Sequence, residues 1–197
     1  MPRKTYHHPD LKTHLIAATR EIVEDEGPEA VTLARIAKIC DVSVAAPYRH
    51  FPNKEALLGA VAGLGFAELR TALTSDARAG GGADAREQLV TAGLAYVGYA
   101  VAHPHLFRLM FSAELRDRQH AVGPAALAAL AALIEPLDLR VPADVAVRAT
   151  WALAHGLATL RIGGMLTFTR EDSERSLREE LDALLTGIEA LPGDAAG

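Results

Sequence analysis

At 197 residues, with 50% hydrophobic and 23% charged side chains, the chain is long enough to bury a substantial core and too apolar for general disorder. Alanine and leucine lead its apolar set with few β-branched runs, which favours helix, and a single cysteine, Cys40, excludes an intramolecular disulfide. The net charge of −5 argues only mildly against nucleic acid, because up to residue 55 eight basic side chains balance eight acidic ones, and four of those acids cluster at residues 21–26.

The opening MPRKTYHHPDLKTH has no apolar run of a secretory signal, and the apolar stretch from Ala121 to Leu137 is interrupted by Pro124, Glu135 and Pro136. Both features predict a cytoplasmic protein that does not enter a membrane. In chain order, Pro9-Asp10 starts a first helix whose Leu11, Leu15, Ile16, Ala18, Ile22 and Val23 recur at helical spacing up to Gly27-Pro28. Thr32 caps a short second helix with Leu33, Ile36, Ala37 and Cys40. After the turn Asp41-Val42-Ser43, with Ser43 as a cap, a third helix is expected over Val44 to Phe51, closed by Pro52. Asn53 caps a fourth, running to about Thr74, and Gly80-Gly81-Gly82 centres a linker. Five more helices follow: Ala85 to Ala102, Leu106 to Leu115, Pro124 to Ile134, a long one from near Pro142 to Phe168 bent at Gly163-Gly164, and Asp172 to Leu191. The last has Leu177, Leu181, Leu184, Leu185 and Ile188 on one face and Glu and Arg on the other. No segment alternates with period two, so an all-α fold of about nine helices is expected. It divides into a helix-turn-helix domain over 1–55 and a helical regulatory, effector-binding and dimerisation domain over 56–197.

Two short helices joined by a tight turn and braced by their neighbours can lay the second helix in the DNA major groove. Leu33, Ile36, Ala37, Val42 and Phe51 suit the core, which leaves Arg35, Lys38, Ser43, Ala45, Tyr48, Arg49 and His50 outside. Tyr48 and His50 can donate to phosphate oxygens, and Lys54 adds its charge to the positive end of the fourth helix. Val44, Ala45 and Ala46 suit thymine methyls, and Arg49 is the best candidate for polar base or phosphate reading. Arg3 and Lys4 either form a loose arm on the duplex or merely solubilise the terminus. Pro47 inside this helix removes one backbone N–H, so the helix is expected to start late or loosely.

The ordered pieces Thr32…Ile36-Ala37, Val42-Ser43, Tyr48, His50-Phe51 and Lys54-Glu55-Leu57 resemble the DNA-binding domain of the tetracycline-repressor (TetR) family over about residues 10–60. Asp41 departs from the family's turn glycine, but aspartate tolerates the left-handed conformation. The resemblance implies DNA contacts from Thr32, Ser43, Tyr48, His50 and Lys54, mostly to the backbone. It also implies a C-terminal domain that dimerises through its last two helices and encloses an effector pocket, with ligand-relieved repression as the default. WALAHGLA, with Trp151, His155 and Gly156, and the segment Ala95 to Phe111 resemble the Trp-His-Gly subgroup of such domains. Tyr96, Tyr99, Phe107, Met110, Phe111, Trp151 and His155 then either line a pocket for a hydrophobic effector or pack the core. The expected partners are double-stranded DNA, a small-molecule effector and a second copy of the chain.

An enzyme is disfavoured. His103, His105, His120 and His155 show no HExxH-type spacing, Cys40 sits in a helical position, and Gly80-Gly81-Gly82 follows no strand, so no metal or cofactor is expected. A protein using the same fold only to bind other proteins, or an activator or corepressor-dependent regulator, is the alternative.

Overall fold

The computed structural model describes residues 11–79, 84–115, 123–166 and 174–188. The expected linker glycines, the basic arm and the outer ends of the first and last helices lie outside them. The described residues are all-α, with eight α-helices: α1 (Leu11–Glu26), α2 (Leu33–Ile39), α3 (Lys54–Ala79), α4 (Ala85–Ala102), α5 (Pro104–Met110), α6 (Gly123–Ile134), α7 (Ala143–Ile162) and α8 (Glu174–Ile188). They form two compact units. One holds the described residues up to 65 together with 105–115; the other holds 66–104 and those from 123 onward.

The third helix expected over Val44 to Phe51 is not an α-helix, and this corrects the sequence reading. Residues 44–46 form a turn that leads into a single 3-10 turn, Pro47–Arg49. Pro47 has no N–H to give the Ser43 carbonyl, so the chain tightens. The Ala46 N–H reaches the Ser43 carbonyl at 2.9 Å, and the His50 N–H reaches that of Pro47 at 3.0 Å. Ala46, not Ser43, occupies the cap position, and no side chain caps it.

In the N-terminal unit, Leu15, Ile22 and Val23 of α1 share a core with Leu33, Ile36 and Ala37 of α2, Phe51, Leu57 and Val61. Leu106, Phe107, Leu109 and Met110 of α5 are buried in the same unit, and the His105 Nδ1–H donates to the Val23 carbonyl at 3.2 Å. The expected helix over Leu106 to Leu115 therefore starts earlier and stops at Met110, with a 3-10 turn at Ala113–Leu115.

In the C-terminal unit, α4 packs on α7 and α8, α6 on α7 and α4, and α7 on α8. Leu89, Val90, Tyr96 and Val97 of α4, Ala146, Ala154 and Leu157 of α7, and Leu177, Leu181 and Leu185 of α8 are buried. A Cβ on Gly93 would lie 2.8 Å from a methyl carbon of Leu181, so this glycine permits the close approach of α4 to α8. Both carboxylate oxygens of Glu87 lie 2.8 Å from one guanidinium nitrogen of Arg178, and Arg86 donates to the Asp182 carbonyl at 2.8 Å. Rather than bending at Gly163-Gly164, α7 ends there. Gly164 takes φ +67, its N–H bonds the Arg161 carbonyl at 3.0 Å, and the Met165 N–H bonds that of Leu160 at 2.9 Å.

Residues 54–74 of α3 are long and apolar enough to cross a membrane by length and composition alone, and half of that window is buried in this fold.

Candidate DNA interface and ligand-binding residues

Backbone geometry aims the helix-turn-helix. Thr32 is extended (φ −135°, ψ 145°), and its hydroxyl accepts the Arg35 N–H at 3.1 Å, which starts α2. The helix closes on Asp41, whose φ is +52°, so aspartate does take the left-handed place suited to glycine. The Val42 N–H returns to the Ala37 carbonyl at 2.9 Å and the Asp41 N–H to that of Lys38 at 3.3 Å, the double bond of a Schellman cap. Buried Pro47 and Phe51 pin the following turn, which leaves Ser43, Val44, Ala45, Tyr48, Arg49 and His50 exposed. Val44 is 58% and Tyr48 55% exposed, large for apolar or aromatic side chains. Ala46 is half-buried. Asn53 caps α3 as expected, its side-chain oxygen accepting the Ala56 N–H at 2.8 Å.

Two cations among the ten expected DNA contacts are already held. The Arg35 guanidinium spans both oxygens of Glu26, with Nη1 at 2.9 Å, and the side-chain hydrogen bond pulls Glu26 below the ordinary carboxylate value. Nothing in the spacing of the acidic cluster singles out Glu26 as that partner. The Lys54 ammonium donates to the Glu29 carbonyl at 3.2 Å.

The seven residues expected at an effector site divide between the units. Tyr96, Trp151 and His155 come together in the C-terminal one. The Tyr96 oxygen lies 2.9 Å from His155 Nδ1, and the Trp151 and His155 ring centroids are 6.0 Å apart. Burial pushes the Tyr96 phenol up, and a hydrogen bond from Trp151 opposes the shift. Burial also draws the His155 ring below its ordinary value. Tyr99 is engaged differently, donating to Glu68 at 3.3 Å and lying 4.8 Å from the His103 ring, and neither partner was among the expected site residues. Phe107, Met110 and Phe111 belong to the N-terminal unit, where the two phenylalanine rings are 4.9 Å apart. No cluster of metal-ligating side chains occurs among the described residues.

Two family models match. Residues 15–61 fit the bacterial regulatory proteins of the tetR family, and residues 89–184 fit the tetracyclin repressor-like C-terminal domain. The chain belongs to the TetR family. Solved structures share this fold along nearly the whole chain. A protein of unknown function from Rhodococcus sp. RHA1 is 28% identical with a TM-score of 0.78, covering 95% of this chain and all of its own (100%). A transcriptional regulator from Rhodococcus sp. Rha1 is 21% identical with a TM-score of 0.71, over 92% of this chain and 99% of its own. The regulator FadR from Bacillus subtilis, solved in complex with stearoyl-CoA, is 17% identical with a TM-score of 0.68, over 90% of this chain and 99% of its own. No curated protein matches the sequence.

Proposed function

We propose that this TetR-family chain is a ligand-released repressor that binds a palindrome-like operator as a homodimer in the cytoplasm. The observation that carries the reading is the exposed set Ser43, Val44, Ala45, Tyr48, Arg49 and His50, pinned from behind by buried Pro47 and Phe51 and offering hydroxyl, phenol, guanidinium and imidazole groups to a duplex. Tyr48, His50, Ser43 and Thr32 supply phosphate contacts, Val44 and Ala45 meet thymine methyls, and Arg49 adds polar readout. Lys54 reaches phosphate from the first turn of α3, and Arg35 contributes through its pairing with Glu26 rather than as a free charge.

Along α7, Val145, Ala149, Ala152, Gly156 and Leu160 recur at helical spacing on a partly to fully exposed stripe of small and apolar side chains, which suits pairing of α7 and α8 across a two-fold axis. Such a dimer offers its two binding surfaces to major grooves about 34–36 Å apart, or a multiple of that. The effector is a hydrophobic small molecule read by Tyr96, Trp151 and His155, a reading supported by the resemblance of the Trp151–Gly156 segment to the Trp-His-Gly subgroup. The stearoyl-CoA bound by FadR from Bacillus subtilis, which shares this fold, is an example of an apolar effector. An effector that favours a wrongly spaced dimer lowers DNA affinity by the same factor that DNA lowers its own. α3, continuous from Lys54 to Ala79, is the lever.

The 3-10 turn in place of a recognition helix is the one observation that favours a protein-binding module instead. Binding to DNA upstream of the chain's own coding region, across a salt series, separates the two. Steep loss of affinity with salt is expected, with Tyr48→Phe and Lys54→Ala weakening all sequences alike. Salt-independent association, or no selected sequence from a random pool, would overturn the repressor reading.

A further inference from the structure

The N-terminal unit contains a cavity of about 440 Å³, within the range of small-molecule sites, about 300–1,000 Å³. Its wall comes from the loop after α1, the first turns of α3, and α5 with the residues that follow it. None of the residues assigned above to the effector lines it. Leu58, Leu109 and Leu115 are buried and form an apolar floor.

The charges around this floor are not equally available. Of the three carboxylates on the wall, Glu26 is held by Arg35. Glu29 and Glu55 are exposed, and among the described residues no side chain pairs with either carboxylate. The two cations are both occupied: the Lys54 ammonium donates to the Glu29 carbonyl at 3.2 Å, and Arg108 has an interaction of its own. A ligand with an anionic head would have to draw these cations from their partners while approaching two carboxylates. A ligand with a cationic head meets acceptors that are ready, and charge-assisted N–H···O⁻ bonds are about twice as strong as neutral ones.

We propose that this cavity binds a small organic ammonium with an apolar body, its head paired with Glu29 and Glu55 and its body resting on Leu58, Leu109 and Leu115. The site is independent of the effector reading above, since none of its lining residues belongs to that reading; it shares only Lys54 with the proposed operator contacts, and its occupancy needs no DNA. The test uses three probes of one shape, phenethylamine, phenethyl alcohol and phenylacetate, titrated into the full chain while the leucine methyl signals are followed by NMR. Phenethylamine is expected to shift the Leu58, Leu109 and Leu115 methyls saturably, at least tenfold more tightly than the alcohol or the acid. The double variant Glu29→Gln/Glu55→Gln, at two exposed positions, should weaken the amine about tenfold and leave the alcohol unchanged. Equal binding of amine and alcohol, shifts that miss the three leucines, no shift at all, or an amine affinity untouched by the double variant would each overturn the proposal. DNA binding measured on the same samples reports on the repressor reading separately.

Discussion

The helix-turn-helix and the C-terminal helix layer are held together over very different distances along the chain. Around residues 32–56 the shaping bonds are short: Thr32 to Arg35, Ala37 to Val42, Asn53 to Ala56, and Glu26 to Arg35 across nine residues. Between α4 and its partners they are long: Tyr96 to His155 across 59 residues, Glu87 to Arg178 across 91, and Arg86 to the Asp182 carbonyl across 96. A locally capped motif can form its turns before the rest of the chain is in place, whereas the layer depends on distant helices meeting correctly. The same cap closes α2 and α7, yet Asp41 supplies the left-handed residue in one and Gly164 in the other. The motif bears the small steric cost of aspartate because an exposed turn is defined by neighbouring bonds.

That contrast can be broken at several points. Leu15→Ala in the N-terminal core and Leu177→Ala in the C-terminal layer should each cost about 2–5 kcal/mol, read by urea denaturation, because both side chains are fully buried. A loss below about 1 kcal/mol at either site would show that its core is looser than described. In α4, two glycines should answer with opposite signs. Gly93→Val drives a side chain into Leu181 and should cost about 1–3 kcal/mol, while Gly98→Ala meets nothing within 4 Å and should stabilise by up to about 1 kcal/mol through helix propensity. Two losses of equal size would remove the close α4–α8 approach as the explanation.

A smaller effect belongs to half-buried His155. Its folded value lies below the ordinary 6.5, so between the two values the unfolded chain binds a proton that the folded one does not. Stability should be complete above pH 6.5 and fall as pH drops through that window, and His155→Gln should remove this part of the slope. An unchanged slope in the variant would place the titration elsewhere. Smallest in stability, within about 1 kcal/mol, is Pro47→Ala, which restores one N–H but gives up part of a buried ring. Its expected signature is a regular helical turn over residues 44–50 in backbone chemical shifts. A persistent 3-10 turn would mean that packing, not the missing N–H, sets this geometry.

Much of the helix-turn-helix was legible because its signals are local. Thr32, Asn53 and Asp41 each announce a cap or a left-handed turn within four or five residues. Pro47 announced a disturbed helix, though a late or loose start was expected where a single 3-10 turn forms. The glycines at 163 and 164 were visible too, but a bend and a stop look alike in sequence, and only the bonds to Arg161 and Leu160 distinguish them. The candidate effector residues were the least legible. Aromatic character marked all seven positions or their neighbours, yet helix periodicity does not say which helix meets which. Tyr96 found His155, Tyr99 found Glu68, and Phe107, Met110 and Phe111 joined the other unit.

By itself, the sequence determined the all-α class, the positions of most helices, the capped turn and the family, since each rests on residue type and spacing within a few turns. Only the tertiary structure decided that Arg35 would be spent on Glu26, that α5 would pack with the N-terminal core, that Gly93 would admit Leu181, and that a cavity would open beside Glu29 and Glu55. The physical reason is common to all four. Each depends on contact between side chains brought together by packing, and the period of a helix records which face is apolar but not what that face will touch.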